Sequence, residues 1–306
     1  MLTLLDDVQL ARVAPRLASM QRNSIRLTAT LIDETLLPLG SSKLGGYPDL
    51  PPGWLWPTTA LPRPSFMVPG APRAPLSGMR LPPDDIIALP FIAQIRLGDV
   101  HPYDIERLLP STGILYFFYN PVYYEGLPYG KPGSWHVVYH DDFTHLQRRI
   151  PPRAIPSEAI YRACAVTFTA ETTLPNIETC YIGEKGDRTA KITLTPDEWE
   201  AYAELHYDMR ANRSIHQMLG YADTTQPYVM EGNYSDVRAT FWPDLPPFEQ
   251  LTAGEQQAEW EQGRLLLQVD EQDNGMRFGR DGRLFFFIRE QDLRSLNFSG
   301  VWAAET

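Results

Sequence analysis

At 306 residues the chain is long enough to bury a sizeable core, as one large domain or two modest ones. Its 43% apolar and 21% charged residues are those of a globular protein and exclude a disordered one. With 27 Lys and Arg against 38 Asp and Glu, the net charge of −11 argues against a nucleic-acid backbone or an anionic membrane as partner.

The amino-terminal stretch carries Asp6, Asp7 and Arg12 where a signal peptide needs an apolar run, so a cytoplasmic location is expected. The longest apolar runs, such as Ile114 to Tyr119 and Leu284 to Ile288, fall far short of a membrane span. Cys164 begins an apolar strand-like run and reads as a buried reduced thiol, and nothing argues for pairing it with Cys180.

Leu10, Val13, Leu17 and Met20 follow at three- or four-residue steps, which predicts a helical stripe broken at Pro15. Ile25, Leu27, Ala29 and Leu31 alternate with polar residues, the pattern of a half-buried strand. Leu44 to Pro57 is too rich in Pro and Gly for a helix, and Leu61 to Pro83, with seven prolines, reads as an exposed loop whose purpose is open. Phe91, Ala93 and Ile95 are expected to face opposite to Ile92, Gln94 and Arg96. A short helix is expected over 103–109, stopped by Pro110. Gly113 to Asn120 reads as a strand buried on both faces, with further strands at 135–140 and 165–169.

Thr195-Pro196-Asp197-Glu198 has the form of a capping box and predicts a helix to about Tyr207. Thr252 and Glu255 predict a second, polar helix to Glu261. A three-strand meander is expected after it, over 264–270, 276–278 and 283–289, with turns at Asn274-Gly275 and Asp281-Gly282.

The most informative pattern is a repeat. Leu44-Gly45-Gly46-Tyr47-Pro48-Asp49, Ala93-Gln94-Ile95 and Gly113-Ile114-Leu115-Tyr116-Phe117-Phe118 recur in order as Leu219-Gly220-Tyr221-Ala222-Asp223, Leu267-Gln268-Val269 and Gly282-Arg283-Leu284-Phe285-Phe286-Phe287. The first two blocks lie 50 residues apart in one half (Leu44 to Gln94) and 49 in the other (Leu219 to Gln268). The expected fold is therefore α+β, mostly antiparallel β, as a single domain 1–306. Its two pseudo-repeated halves, roughly 24–150 and 190–302, would be joined by 151–189 and share one core. Gln94 and Gln268 are amides among apolar strand residues and must find partners. Satisfying the nearby Leu-Gly turn is the commoner job; lining a cleft between the halves is the alternative.

The segments KLGGYPDLPPGWLWP, LPFIAQIRLGDV, LPSTGILYFFYN, LGYADTTQ and GRLLLQVDEQDNGMRFGRDGRLFFFIREQDL resemble the YwqG-like bacterial family, over about residues 43–302. That resemblance implies an α+β protein of unknown function, supports the duplication and transfers no catalytic role to any residue.

Signatures of chemistry are weak. His136 and His140 lie four apart on a strand, about 13 Å, too far to share one ion. His140 and Asp142 can share a face and are weak metal candidates, and no metal or other cofactor is expected. Asp270 to Asp281 lacks the acidic third position and terminal Glu of a calcium loop. Gly126 to Lys131 is one residue short of a phosphate loop, and no nucleophile elbow occurs. Tyr47, Trp54 and Trp56 either pin a Pro-rich loop to the core or present a binding surface. Tyr119, Tyr123, Tyr124 and Tyr129 form a comparable aromatic group.

The preferred expectation is a non-catalytic protein that binds another, basic protein, for example as a toxin-neutralising immunity factor, with no nucleic-acid or membrane partner. Its candidate binding residues are Tyr47, Asp49, Trp54, Trp56, Gln94, Asp223, Gln268 and Asp270. The alternative is a hydrolase or small-ligand enzyme with its site between the halves, using Asp49, Asp223 and Asp270. That alternative requires a polar pocket and an acid with a raised pKa. A third reading is glycan binding by Trp54 and Trp56. The oligomeric state is open.

Overall fold

A computed structural model of the chain describes residues 8–60, 86–121, 132–177, 181–184, 190–210, 214–224, 234–272 and 274–306. Leu61 to Pro83 lies outside these, as do Tyr123, Tyr124, Tyr129, Cys180 and the 126–131 turn.

A short 3-10 turn, Val8–Leu10, leads into α1 (Ala14–Ser19), with Pro15 in the first helical turn where its missing amide costs nothing. The break at Pro15 thus yields two short pieces, and Leu10, Val13, Leu17 and Met20 are all buried on one side. The strands that follow are β1 (Arg22–Leu31), β2 (Lys43–Leu44), β3 (Asp49–Leu50), β4 (Thr58–Ala60), β5 (Ile86–Ala88) and β6 (Phe91–Arg96). After α2 (Leu97–Val100) come β7 (Ile114–Tyr119), β8 (Trp135–His140), β9 (Gln147–Arg148) and β10 (Cys164–Thr173). β11 (Ile182–Glu184) and β12 (Ile192–Leu194) precede α3 (Pro196–Arg210) and β13 (His216–Leu219). The chain continues through α4 (Tyr234–Phe241), α5 (Ala253–Glu261), β14 (Gly263–Val269), β15 (Leu284–Arg289), α6 (Glu290–Arg294) and β16 (Trp302–Glu305).

Ten strands form one antiparallel sheet in the order β16-β15-β14-β13-β1-β10-β2-β6-β7-β8. The ten-residue strands β1 and β10 run side by side at its centre, Arg22 opposite Thr173 and Leu31 opposite Cys164. From there the sheet curls until its two ends nearly close on each other. Phe117 of β7 meets Phe286 of β15 at 5.1 Å between ring centroids. The Trp135 indole on β8 donates to the Val301 carbonyl at 2.7 Å, and Tyr139 packs on Phe298. The inner face is a continuous apolar core that includes Ile25, Leu27, Leu44, Ile95, Leu115, Phe117, Met218 and Phe286.

The outer face is covered at its ends and bare at its centre. Leu50, Leu89, Trp54 and Trp56 cap Tyr116 and Phe118 at one end. At the other, Tyr234 of α4 stands edge-on to Trp302, which stacks on Phe287. Between them Thr28 and Thr30 of β1, and Thr167 and Thr169 of β10, face solvent, as one side of an antiparallel sheet can.

The two helices opened by capping boxes form where expected. In α5 Thr252 accepts from the Glu255 amide while Glu255 accepts from the Thr252 amide, and Thr195 and Glu198 exchange the same bonds ahead of α3. Three local expectations are corrected. The helix predicted at 103–109 lies earlier, as α2 and a 3-10 turn at His101–Tyr103, because the Asp104 carboxylate takes the amides of Leu108 and Leu109 into a tight loop. The strict alternation over 91–96 is interrupted by a bulge between Phe91 and Ala93, which turns both Ile92 and Ala93 into the inner core and Phe91 outward. The meander is a two-stranded hairpin, since β14 pairs directly with β15. Residues 276–278 do not form a strand, because the Asn274 side chain accepts the Met276 amide and closes a turn whose Met276 and Phe278 are buried.

Replacing Phe286 (fully buried) by Ala is expected to lower the unfolding free energy by about 3–5 kcal/mol, as for other buried aromatic truncations. Leu55→Ala, at an 87% exposed position, stays within about 0.5 kcal/mol. Urea denaturation of the two variants checks this, and equal effects would contradict the ring contact at the sheet's closure.

Candidate functional site

The candidate residues fall into two polar corners and one aromatic cap. In the first corner the chain leaves β2, reverses at Gly45 and Gly46, and enters β3. Both glycines have positive φ, +65° and +72°. A Cβ on Gly45 would run into the Arg162 carbonyl, and one on Gly46 into the Glu34 carboxylate. Only glycine fits at either place.

Gln94 lies on β6 beside this corner and is completely buried. Its Oε1 accepts the Asp49 amide at 2.8 Å, and its Nε2 donates to the Ser41 carbonyl at 2.8 Å and to Asp49 Oδ2 at 2.9 Å. Asp49 is equally buried and also accepts from the Gly40 amide and from Arg148 Nε at 2.9 Å. Lys43, likewise without exposure, donates to Glu34 Oε1 at 2.9 Å, to the Tyr47 carbonyl and to Asp49 Oδ2 at 3.3 Å. Arg148 reaches on to the carbonyls of Glu34 and Leu37, and the Tyr116 hydroxyl donates to the Asp49 carbonyl at 2.6 Å.

Burial alone would push the Asp49 carboxyl up. Arg148, Lys43, the Gly40 amide and Gln94 outweigh it and hold the group below its ordinary value. Burial pulls Lys43 down while Asp49 and Glu34 oppose it. The corner is therefore an ionised, fully bonded knot. Tyr47 contributes main-chain atoms to it: its amide donates to Glu34 and its carbonyl receives Lys43.

The second corner follows β13. Leu219 and Gly220 have φ of +59° and +70°. Gln268 on β14 is fully buried, and its Oε1 accepts the Asp223 amide at 2.9 Å while its Nε2 donates to the Ile215 carbonyl at 2.9 Å. Opposite Gln268 in register stands Gln217, as Lys43 stands opposite Gln94. Gln217 donates to the Tyr221 carbonyl four residues on, as Lys43 does to Tyr47. Arg283 donates to the Asp223 carbonyl at 3.0 Å and to Asp270 Oδ1 at 3.1 Å, and Asp270 also accepts the amides of Ile215 and Glu271. His216 accepts the Asp270 amide on Nδ1, which leaves Nε2–H to meet Gln272.

Asp49, Gln94 and the Tyr47 backbone thus come together, as do Asp223, Gln268 and Asp270, but the two groups do not meet. Four strands, β2, β10, β1 and β13, lie between Gln94 and Gln268. At strand spacing that is on the order of 20 Å along the sheet. Trp54 and Trp56 face inward: Trp54 stands edge-on to Tyr116 at 5.4 Å, and Trp56 stands edge-on to Phe118 while its indole donates to the Leu89 carbonyl. His140 lies near Trp54, and Asp142 caps Thr144 in its own loop. Among the described residues no three His, Cys, Asp or Glu gather as a metal set.

Two concavities hold none of the candidate residues. A groove of about 810 Å³ between α5 and α6 is lined by Glu261, Arg264, Glu290 and Arg294, whose charges pair with one another or with Lys191. A smaller one, about 280 Å³, lies against Gly40, Arg96 and Phe143. Sequence reasoning missed Lys43, Glu34, Arg148 and Arg283. The available signal was the lone lysine of Ser42-Lys43-Leu44 inside an otherwise apolar strand position.

What these elements define is a curled antiparallel sheet protein with two buried polar corners. The chain belongs to the DUF1963 family, a domain of unknown function, which it matches over residues 42–304. No curated protein matches it. Among the described residues no helix is long and apolar enough to cross a membrane.

Lys43→Met leaves Asp49 buried with one cation fewer, and a loss of about 3–5 kcal/mol in unfolding free energy is expected. Asp49 has a folded-state pKa below its unfolded one. Its contribution is therefore present above the ordinary carboxylate pKa and fades as pH falls through the lowered value. Denaturation curves of wild type and Asp49→Asn are expected to differ most near neutral pH and to converge in acid; a gap that is constant with pH would contradict an ionised Asp49.

Proposed function

We propose that this protein is a non-catalytic binding protein built on two related halves, with its partner another, basic protein. The observation that carries the reading is the saturation of the candidate residues. The side-chain amides of Gln94 and Gln268 and the carboxylates of Asp49 and Asp270 hold backbone and cationic partners of their own half, and the Asp223 carboxylate lies 3.8 Å from Arg283. Such groups build loops; they are not poised to bind a substrate.

The duplication is supported by matched bonds. Gln94 and Gln268 each accept the amide of an aspartate beyond the corner and donate to a carbonyl just ahead of the strand that precedes it. Phe117 and Phe286, at equivalent places in the repeated blocks, touch each other at the centre of the closure. The sheet order places β2, β6, β7 and β8 on one side of the central pair and β13, β14, β15 and β16 on the other.

The net charge of −11 favours steering toward a basic surface. A nucleic-acid-targeting toxin neutralised by this chain in a bacterial cytoplasm is one partner of that kind. Affinity purification from the native host is the test. It is expected to yield a stoichiometric basic protein at low salt that is released in about 1 M salt, where the Debye length is about 3 Å. Recovery of no stoichiometric partner at low salt would overturn the reading.

A further inference from the structure

The closure of the sheet contains one ionisable group that the corners and the binding reading leave unused. Glu305 on β16 lies opposite Leu284 in register, and its Oε2 accepts the hydroxyl of Tyr119 on β7 at 2.9 Å. Tyr119 and Glu305 are 186 residues apart and belong to the two ends of the ten-stranded sheet, so this bond crosses the seam. The other oxygen, Oε1, is buried and has no hydrogen-bond partner among the described residues. Tyr119 is fully buried, with its ring edge-on to Phe278 at 6.1 Å and Phe286 at 6.4 Å, and Tyr161 closes on Phe278 at 5.9 Å.

The titratable and charged groups of the elements around Glu305 are few. Tyr119 comes from β7 and Tyr161 from the segment before β10. Asp281 and Arg283 lie on the chain entering β15, where Arg283 is turned to Asp270 and Asp223. No described cation pairs with the carboxyl.

We infer that Glu305, buried at the seam beside Tyr119, is a pH-sensitive latch: as a neutral acid it lets the two ends of the sheet stay closed, and its ionisation loosens them. The physical reason is desolvation. A neutral carboxylic acid leaves Oε1 at modest cost in this aromatic enclosure, whereas a carboxylate there has one hydrogen bond and no counter-charge. Burial pushes Glu305 up to about 7, with the Tyr119 hydrogen bond opposing it. The folded-state value thus lies above the unfolded one. The stabilisation is present below the ordinary glutamate range and is lost as pH rises toward and through about 7.

The test is denaturant unfolding of wild type and Glu305→Gln from pH 5 to pH 8. Burial also pulls His216 below the ordinary histidine value, so the reading is the difference between the two proteins. Relative to the variant, the wild-type folding equilibrium constant is expected to fall by about seventyfold across this range. Tyr119→Phe removes the bond that favours the ionised form and is expected to move the wild-type decline to higher pH; it also serves if Glu305→Gln does not fold. Hydrogen exchange localises the effect. Protection of the Ala304 amide, corrected for intrinsic rates, is expected to drop above pH 7 in wild type and to stay constant in Glu305→Gln. Parallel pH profiles for wild type and Glu305→Gln, a Tyr119→Phe decline at unchanged pH, or unchanged protection would each overturn the latch.

Discussion

Everything in this molecule hangs on a backbone problem: the chain must reverse direction inside the protein, and the amides exposed at the reversal need partners where water cannot reach. A buried unpaired amide or carbonyl costs about 1–3 kcal/mol, and several of them at one corner would rival the whole stability of a domain. The solution in both places is a glutamine on a neighbouring strand, since one primary amide can accept and donate at once. Gln94 ties Asp49 to Ser41, and Gln268 ties Asp223 to Ile215. Each corner is thereby stitched to its own part of the sheet, with positive φ at Gly45, Gly46 and Gly220 making the reversal geometrically possible.

The two corners solve the remaining electrostatics differently. The first uses full charges, with Lys43 and Arg148 meeting Asp49 and Glu34 where no solvent reaches Lys43 or Asp49. The second puts neutral Gln217 where Lys43 would stand and brings in Arg283 from β15's leading turn. An ionic knot is costly to desolvate and strongly coupled, whereas the amide version is milder. Neither of the two described grooves, at Arg96 and at α5–α6, is lined by a candidate residue. The central strands turn Thr28, Thr30, Thr167 and Thr169 to solvent.

Much of this is written in the chain in a form that local physics can decode. Ile114–Tyr119 reads as a doubly buried strand because six apolar or aromatic residues run without a polar interruption, and all six are buried. Thr252 and Glu255 announce α5 because a capping box is completed within four residues. The Leu-Gly corners and their glutamines are legible as short matching blocks of sequence. What is not legible is set by distance. Arg148 reaches Asp49 across 99 residues, and nothing local distinguishes it from a surface arginine. Met276 and Phe278 mimic a strand, and only the Asn274 side-chain bond to the Met276 amide shows why they form a buried loop. The bulge in β6 is hidden for a similar reason, since alternation carries no mark of an extra residue.

The most direct measurement of this account is the stability of two matched variants, Gln94→Leu and Gln268→Leu, by urea unfolding. Each substitution keeps the side chain's bulk and removes the amide, leaving the Asp49 or Asp223 amide and the Ser41 or Ile215 carbonyl without their partner. A loss of about 2–4 kcal/mol is expected in both, because each corner loses two or more buried bonds. A neutral or stabilising effect of either substitution would contradict it and would mark that glutamine as held for something other than the fold.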